Sequence, residues 1–438
     1  MIDHDRSGDP ADPSGEVPAA GGTLTGIDAV AATVFAELLE ATHLTRPDDI
    51  APVLADKVVP LGVTDLVVYL IDVEQTALIP VPGGPAAGRP VLRVEGTLAG
   101  RAFATVAVLE ADAPAPGRRR LWLPMVDGTD RIGVVEMTVP APRGRVESRL
   151  LAYCERYVHL TAQVILSKSA YGDVFELVRR RQPMSVAAEL QRSLLPPLVF
   201  ATRNLVVAGV LEPCYTVGGD SFDYAVNGDV AHLAVFDAMG HGLTAAGTAA
   251  VALSAYRTAR RQLLDLGGTY AAIDATLVEE FHGERYATAV LGQLSLASGT
   301  LRWVNAGHPP PLVLRGGKLI KVLDLHPGTP LGVPFGELPP AIGEEALEPG
   351  DRLLLYSDGV TEARTADGSF FTAERLAEFL ERQAAAGLPT PETLRRLRQA
   401  IITHQAGQLQ DDATVLLVEW RRDSELSLLP QTVRVGQV

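Results

Sequence analysis

The sequence predicts an α+β chain of two folded units joined by a helical connector, on three observations. In the second half, short apolar runs bounded by glycine-bearing turns alternate with helical stretches, the pattern of antiparallel sheets covered by helices. The first half has strands and helices of a different character, so a boundary falls before residue 196. Between the two, residues 145–182 carry apolar or small side chains at three- and four-residue spacing and read as a long helical stretch. A length of 438 residues suits two or three domains.

Residues 1–23 are rich in Asp, Pro, Gly and Ala without apolar periodicity and are expected to be disordered. They lack the basic start and apolar core of a secretory signal. From residue 24 the pattern gives helices at 27–42 and 47–58 and a strand at 65–72 (DLVVYLID). A Gly/Pro-rich loop at 80–90, a helical LAGRAFAT and strands near 119–126 and 131–139 follow. The connector stripe runs through Leu150, Cys154, Tyr157, Thr161, Val164, Tyr171, Phe175 and Val178. A stripe of that width either packs back on its own domain or pairs with a second copy as a short coiled coil, which would make a homodimer through residues 145–182. Pro183 interrupts it, and residues 184–195 form a second helix leading into the second unit. There, strands are predicted at 204–212, 230–237, 286–296, 301–305, 311–315, 319–323, 351–357 and 413–420, with hairpin turns at ASGT (297–300) and RGGK (315–318). Residues 243–266, whose Ala and Gly content permits close packing, read as a helix, as do 269–281, 372–384 and 391–404.

Four short acidic motifs cross the second half: VGGDSFDY with Asp220 and Asp223, VFDAMGHG with Asp237, YSDG with Asp358, and QDDATVLLVEW with Asp411 and Asp412. Three adjoin apolar runs (HLAVF before Asp237, RLLLYS before Asp358, ATVLLVEW after Asp412), which places their carboxylates at the ends of buried strands. Rigid strand ends can aim carboxylates at one point. Clustered carboxylates without His or Cys partners favour hard, oxygen-loving cations such as Mg²⁺ or Mn²⁺ over zinc. Without a cation, converging negative charges repel or take up protons. Two such ions about 3.5–4 Å apart activate a bridging water and clamp a phosphoryl group for in-line attack, the chemistry of metal-dependent phosphate ester hydrolysis. Taken singly, an Asp-Gly or Asp-Asp pair more often marks a surface turn.

The order and content of AELQRSLLPP (188–197), VGGDSFDY, FDAMGHGLTAA, ATAVLGQLSL, LRWVNAGHPPPLVL, TPLGV (329–333), GDRLLLYSDGVTEA and DDATVLLV resemble the PPM (type 2C) serine/threonine phosphatases of the bacterial SpoIIE type, over residues 187–420. The resemblance implies an α/β/β/α sandwich and two Mn²⁺ or Mg²⁺ ions. It makes Asp237 the carboxylate bridging both metals, with the Ala238 carbonyl beside it. Asp358 and Asp411 would complete one metal's shell, and Asp220 would hold the second directly or through water. Every acidic position of the pattern is filled, which argues against a metal-free relative. Two departures stand out. Eukaryotic members carry a phosphate-binding Arg shortly before the first acidic motif, where this chain has EPCYTVGGD and Arg203 is the nearest upstream candidate. They also place a His two residues after the bridging Asp, where this chain has Met239 and the histidine follows at His241. Protonation of the leaving group is thus unassigned, with solvent or a metal-bound water as alternatives. His241 and Asp223 are the catalytic candidates beyond that water; His241 alternatively shapes the turn and caps the helix. Asp223 and Asp412 are candidates for tuning the ligands from behind, and His308 in NAGHPPP reads as structural.

In the first unit, LVVYLIDVEQTALIPVPG, VEGTLAGRAFA and LWLPMVDGTDRIGVVEMTV resemble a GAF domain, a small sensory module on an antiparallel sheet. No ligand signature accompanies them, and the ligand stays unnamed. Cys154, His43 and His159 would suit a haem or redox switch, but a lone helical Cys is more often a small buried hydrophobe. The expected organisation is a disordered tail (1–23), a GAF-like sensor (24–144), a helical connector (145–195), a PPM/SpoIIE-type phosphatase domain (196–421) and a C-terminal tail (422–438).

Composition narrows the classes further. No apolar span approaches the ~20 residues needed to cross a bilayer. Two cysteines, Cys154 and Cys214, make no disulfide framework and suit a reducing cytoplasm. With 38 basic against 53 acidic residues, the net charge of −15 opposes general binding to nucleic acid. The Arg triplets 118–120 and 179–181 read as solvated faces, the second also placed to meet an acidic partner. The expected protein is a cytoplasmic, metal-dependent phosphoserine/phosphothreonine phosphatase with a GAF sensor, and the resemblance implies a phosphorylated anti-sigma-factor antagonist as substrate. The competing readings are a non-catalytic signalling scaffold and a hydrolase of small phosphoesters; complete acidic motifs oppose the first, and the lack of a Gly-rich phosphate loop opposes the second.

Overall fold

The computed structural model describes residues 26–212, 214–216, 218–326, 328–334, 340–363, 371–405, 411–420 and 428–429. The expected tail 1–23, and all of 422–438 except 428–429, lie outside the described residues. The first unit begins with α1 (Gly26–Thr42) and α2 (Ile50–Lys57), then β1 (Asp65–Ile71), β2 (Ala77–Pro80), β3 (Leu92–Arg93), α3 (Leu98–Thr105), β4 (Leu109–Asp112), β5 (Arg118–Asp127), β6 (Asp130–Pro140) and α4 (Ser148–Ser169). Its strands form one antiparallel sheet in the order β3-β2-β1-β6-β5-β4. The near-continuous apolar run of β1 follows from burial on both faces. Leu66, Val68 and Leu70 pack with α1, α2 and α4, while Val67, Tyr69 and Ile71 pack with Phe103 of α3.

The connector stripe takes the first of its two courses. Leu150, Cys154, Tyr157 and Val164 of α4 are buried in the same core as Leu38, Ile50, Leu54 and Met137, and Tyr157 donates a hydrogen bond to the Leu54 carbonyl at 2.7 Å. These residues are therefore spent on the core of their own domain rather than on a coiled-coil seam. Only Tyr171 of the stripe is largely exposed, at 76%. The helical stretch also breaks before Pro183: α5 (Val174–Arg179) is separate from α4, and α6 (Val186–Leu194) follows.

The second unit comprises β7 (Val199–Thr202), β8 (Leu205–Glu212), β9 (Asp220–Asn227), β10 (Val230–Ala238), α7 (Gly242–Arg261), α8 (Leu266–Phe281), β11 (Ala287–Ser295), β12 (Thr300–Ala306), β13 (Leu312–Arg315), β14 (Lys318–Val322), β15 (Gly343–Ala346), β16 (Arg352–Tyr356), the single turn α9 (Asp358–Thr361), α10 (Ala373–Ala385), α11 (Thr390–His404) and β17 (Ala413–Trp420). Two antiparallel sheets, β15-β12-β11-β10-β9 and β14-β13-β16-β17-β8-β7, face each other. Alternate residues fill the space between them: Phe222 and Tyr224, Leu233 and Val235, Val290, Leu353 and Leu355, Leu416 and Val418. The other alternation carries Ala234, Phe236 and Ala289 against α7 and α8, and Val210, Leu354 and Leu417 against α10 and α11. The result is four layers, helix, sheet, sheet, helix.

Charge pairs join the two units. Arg131 of β6 reaches Glu392 of α11 at 3.1 Å, and Glu392 also receives Arg395 at 2.8 Å and Arg396 at 3.0 Å. Arg398 pairs with Glu212 and donates to the Glu74 carbonyl. Both members of the Arg131–Glu392 pair are buried, so removing one charge strands the other. Replacing Glu392 by Gln should lower unfolding free energy by about 3–5 kcal/mol, measured by urea denaturation of the full chain. Unchanged stability would contradict a buried, paired role.

Candidate metal centre

Asp220 opens β9 and lies directly opposite Asp237 near the end of β10. Opposed residues of an antiparallel pair project to the same side, and these two continue the inner rows Phe222/Tyr224 and Leu233/Val235. On the facing sheet, the inner row Leu353/Leu355 leads to Ser357, and Val418/Leu416 leads through Thr414 to Asp412. The sandwich core thus ends, on both sheets, in carboxylates and hydroxyls. Asp358 follows immediately at the start of α9, and Asp411 is exposed beside Asp412.

Glycines let the motif loops touch. A Cβ at Gly219 would sit 2.1 Å from the Ala238 carbonyl oxygen, and one at Gly359 would sit 1.8 Å from that of Asp412. Around these contacts Asp412 accepts hydrogen bonds from the Gly218 N–H at 2.7 Å and the Asp220 N–H at 3.2 Å. The Ser357 hydroxyl donates to Asp220 Oδ2 at 2.5 Å and accepts from the Thr414 N–H at 2.9 Å. From the connector, Gln191 of α6 donates to the carbonyls of Gly218 and Asp220. Each sheet is therefore tied to the other at the carboxylates themselves.

A cavity of about 770 Å³ opens over this end of the sandwich, lined by Asp237, Asp358, Asp411 and Asp412 together with Met239, His241, Tyr286 and Thr288. No Lys or Arg is among its described lining residues. The electrostatic consequence is direct. Burial, reinforced by the charges of Asp358, Asp411 and Asp412, pushes Asp237 up to about 7. Burial and Asp411 push Asp412 up to about 6, against the opposing pull of the Gly218 and Asp220 N–H groups. Asp220 is raised well above the carboxylate range by burial, then by Asp237 and Asp412, and Asp358 is raised by burial and Asp411.

Among the described residues, no three His, Cys, Asp or Glu side chains are gathered tightly enough to hold a metal as they stand. The donor set nevertheless fits a divalent cation. It is all oxygen, no Lys or Arg among the described lining residues neutralises it, and burial reinforced by neighbouring carboxylates drives Asp237, Asp358 and Asp412 toward protonation.

The structure brings Asp220, Asp237, Ala238, Asp358, Asp411 and Asp412 together and sets Asp223 apart. Asp223 has the opposite strand parity to Asp220 and faces α7, where Arg257 holds it at 2.9 Å and Arg260 at 2.8 Å. It anchors a helix, which removes it as a catalytic candidate or a group tuning the metal ligands. His241 is exposed at the cavity rim between Gly240 (φ +90°) and Gly242 (φ +74°), left-handed positions that favour glycine, and its side chain makes no cap bond to α7. Arg203 is exposed in the turn between β7 and β8 and does not line the cavity. Cys154 is a buried core residue whose thiol is pushed up to about 12 by burial, while His43 and His159 are exposed. His308 is buried, with its backbone N–H and carbonyl both bonded by the Asn305 side chain, in keeping with a structural reading. Sequence reasoning passed over Gln191, Ser357 and Thr288. Each lay inside a motif already marked, AELQRSLLPP, YSDG and ATAVLGQLSL, but none is a charged group that would draw notice.

Residues 227–421 match the family model of Stage II sporulation protein E (SpoIIE). The chain is 25% identical over 270 residues to Protein IcfG of Synechocystis sp., covering 54% of this chain and 41% of that protein. It therefore spans less than half the length of that relative. It is 23% identical over 243 residues to Phosphoserine phosphatase RsbU of Bacillus subtilis, covering 54% of this chain and 70% of the relative. Among solved structures, the SiaA-PP2C domain of Pseudomonas aeruginosa is 22% identical with a TM-score of 0.46, covering 53% of this chain and 94% of that one.

The repulsion among these carboxylates has a measurable sign. In metal-free protein Asp237 stays protonated up to about pH 7, whereas an unfolded carboxyl titrates near ~4, so the folded state binds more protons across that window. Stability contributed by this group is complete below ~4 and falls as pH rises toward 7. Urea unfolding of EDTA-treated protein should show a smaller decline over this range for Asp237→Asn than for the unsubstituted chain. A pH-independent difference between the two would contradict the raised pKa that burial and the neighbouring carboxylates give Asp237.

Proposed function

We propose that the second unit is a divalent-metal-dependent phosphatase of phosphoserine or phosphothreonine in proteins. Asp220, Asp237, the Ala238 carbonyl, Asp358 and Asp411 would hold two Mn²⁺ or Mg²⁺ ions. The observation that carries this reading is the convergence of partly buried, mutually repelling aspartates on one cavity whose described lining residues include no Lys or Arg. Two ions bound there would neutralise the phosphoryl oxygens and lower the pKa of a shared water. The protein's own part is positional. Ser357 and the Gly218 loop fix Asp220 and Asp412, and the β9–β10 register sets Asp237 against Asp220. The N-terminus of α7 opens on the same cavity through Gly242 and Leu243, adding positive potential for an anionic ester.

A protein substrate is favoured over a small phosphoester by the rim of the cavity, where Val186 is 69% and Leu243 54% exposed. Apolar side chains at the mouth suit a phosphorylated residue carried on a polypeptide. A phosphorylated anti-sigma-factor antagonist is the target in our reading, supported by the similarity to the relative named RsbU. We assign the first unit (24–144) as a GAF-type sensor, on its six-stranded antiparallel sheet and flanking helices. Residues 145–195 are then the connector, with its first helix α4 packed into the core of the sensor, and 196–421 the phosphatase domain. Regulation through the connector is supported by Gln191, which reaches from α6 to the Gly218 and Asp220 carbonyls. The unpaired cysteines Cys154 and Cys214 support a cytoplasmic setting.

The test is hydrolysis of p-nitrophenyl phosphate and a phosphoserine peptide by the full chain with Mn²⁺, Mg²⁺ or EDTA. Activity should require metal and fall by on the order of 10²–10³-fold in Asp237→Ala. Folded, Mn²⁺-saturated protein without activity would instead favour the binding scaffold.

A further inference from the structure

One buried side chain near the cavity is left with an unpaired polar atom. His308 is 4% exposed, and its Nδ1 lies 2.8 Å from the hydroxyl of Thr288. Its Nε2 has no hydrogen bond within normal reach, and the other polar group that acts on the ring is the backbone of Tyr356. Burial holds the ring neutral by depressing its pKa to about 4. Asn305 clamps the backbone of His308 from both sides at 2.8 Å, which locks the imidazole against Thr288.

Packing alone gives little reason for this pair. A valine at position 288 would fill the same volume without a hydroxyl to satisfy, and a buried imidazole with one nitrogen unpaired is destabilising. The placement of Thr288 supplies the reason. It lies directly opposite Asp237 across the β10–β11 ladder, shares the inner face with it, and lines the same cavity. Its β-branched side chain is stiff at χ1, so a bond to His308 fixes where the hydroxyl oxygen points.

We propose that Thr288 contacts the reacting water in the cavity through Oγ1 and that His308 is its positioning residue. The proposal rests on the phosphatase reading above. A neutral imidazole has one donor and one acceptor nitrogen. With the proton on Nε2, toward the Tyr356 backbone, Nδ1 accepts a hydrogen bond from the Thr288 hydroxyl. Thr288 Oγ1 then turns its lone pairs to the cavity, where they accept a hydrogen bond from the water beside Asp237 and set its direction of attack. Thr288 gains and loses no proton in this step, and it forms no bond to phosphorus.

The experiment is steady-state hydrolysis of p-nitrophenyl phosphate with Mn²⁺ by the full chain and its Thr288→Val, Thr288→Ser, His308→Leu and Thr288→Val/His308→Leu variants, with Mn²⁺ affinity measured by calorimetry. Thr288→Val should lower kcat by about 10- to 100-fold, with KM and Mn²⁺ affinity within about twofold of the unsubstituted chain. Thr288→Ser should retain kcat within a few-fold, and His308→Leu should add nothing further in the double variant. If the valine variant does not fold, Thr288→Ala carries the same comparison. Retention of kcat in Thr288→Val, or fully additive losses in the double variant, would overturn the proposal while leaving the phosphatase reading intact. A folded, unsubstituted chain with no metal-dependent hydrolysis would overturn both.

Discussion

The constraint on which this structure turns is like charge held together at the end of a hydrophobic sandwich. Asp220, Asp237, Asp358 and Asp412 are each raised toward protonation by burial and by neighbouring carboxylates, and among the described residues no lysine or arginine lines the cavity on which Asp237, Asp358, Asp411 and Asp412 open. Left to itself such a cluster would open. It is held by strand geometry: Asp220 and Asp237 are opposed across one ladder, while Ser357 and Asp412 end inner rows of the facing sheet. The bonds from Ser357 to Asp220 and from the Gly218 N–H to Asp412 then cross from sheet to sheet. The rigidity of the core is what makes an unfavourable arrangement of charge permanent, and a bound divalent cation would make it favourable.

Much of the surrounding structure serves that placement. Glycine is required at Gly219 and Gly359 because a side chain would strike the neighbouring motif's backbone. Asp223, one strand position off the inner row, spends its charge on Arg257 and Arg260 and so fastens α7, whose N-terminus borders the cavity. Thr288 and His308 extend the same logic to a neutral pair, with the buried imidazole aligning a hydroxyl opposite Asp237. The first unit reaches this apparatus by two routes, Gln191 in the connector and, at α11, the Arg131–Glu392 pair with the bond from Arg398 to the Glu74 carbonyl.

The acidic motifs and their strand-end positions were legible in the sequence because apolar runs next to Asp237, Asp358 and Asp412 announce where buried strands stop. The strand β9 was not, since DSFDYAVN looks polar, yet its inner residues Asp220, Phe222 and Tyr224 alternate with Ser221 and Asp223 facing α7. Reading that alternation would have separated Asp220 from Asp223 at once. The connector stripe was legible as a stripe but not in its partner, because periodicity reports an apolar face and not what covers it; α1, α2 and the first sheet cover it here. Gln191, Ser357 and Thr288 act through geometry supplied by distant elements, and no local pattern marks them.

The most direct test of the central claim is a crystal structure of the full chain grown with Mn²⁺, read by anomalous difference density at the manganese edge. The account predicts two peaks about 3.5–4 Å apart, with Asp237 between them and Asp220, Asp358 and Asp411 around them. Saturating Mn²⁺ with no peak among these carboxylates would contradict it.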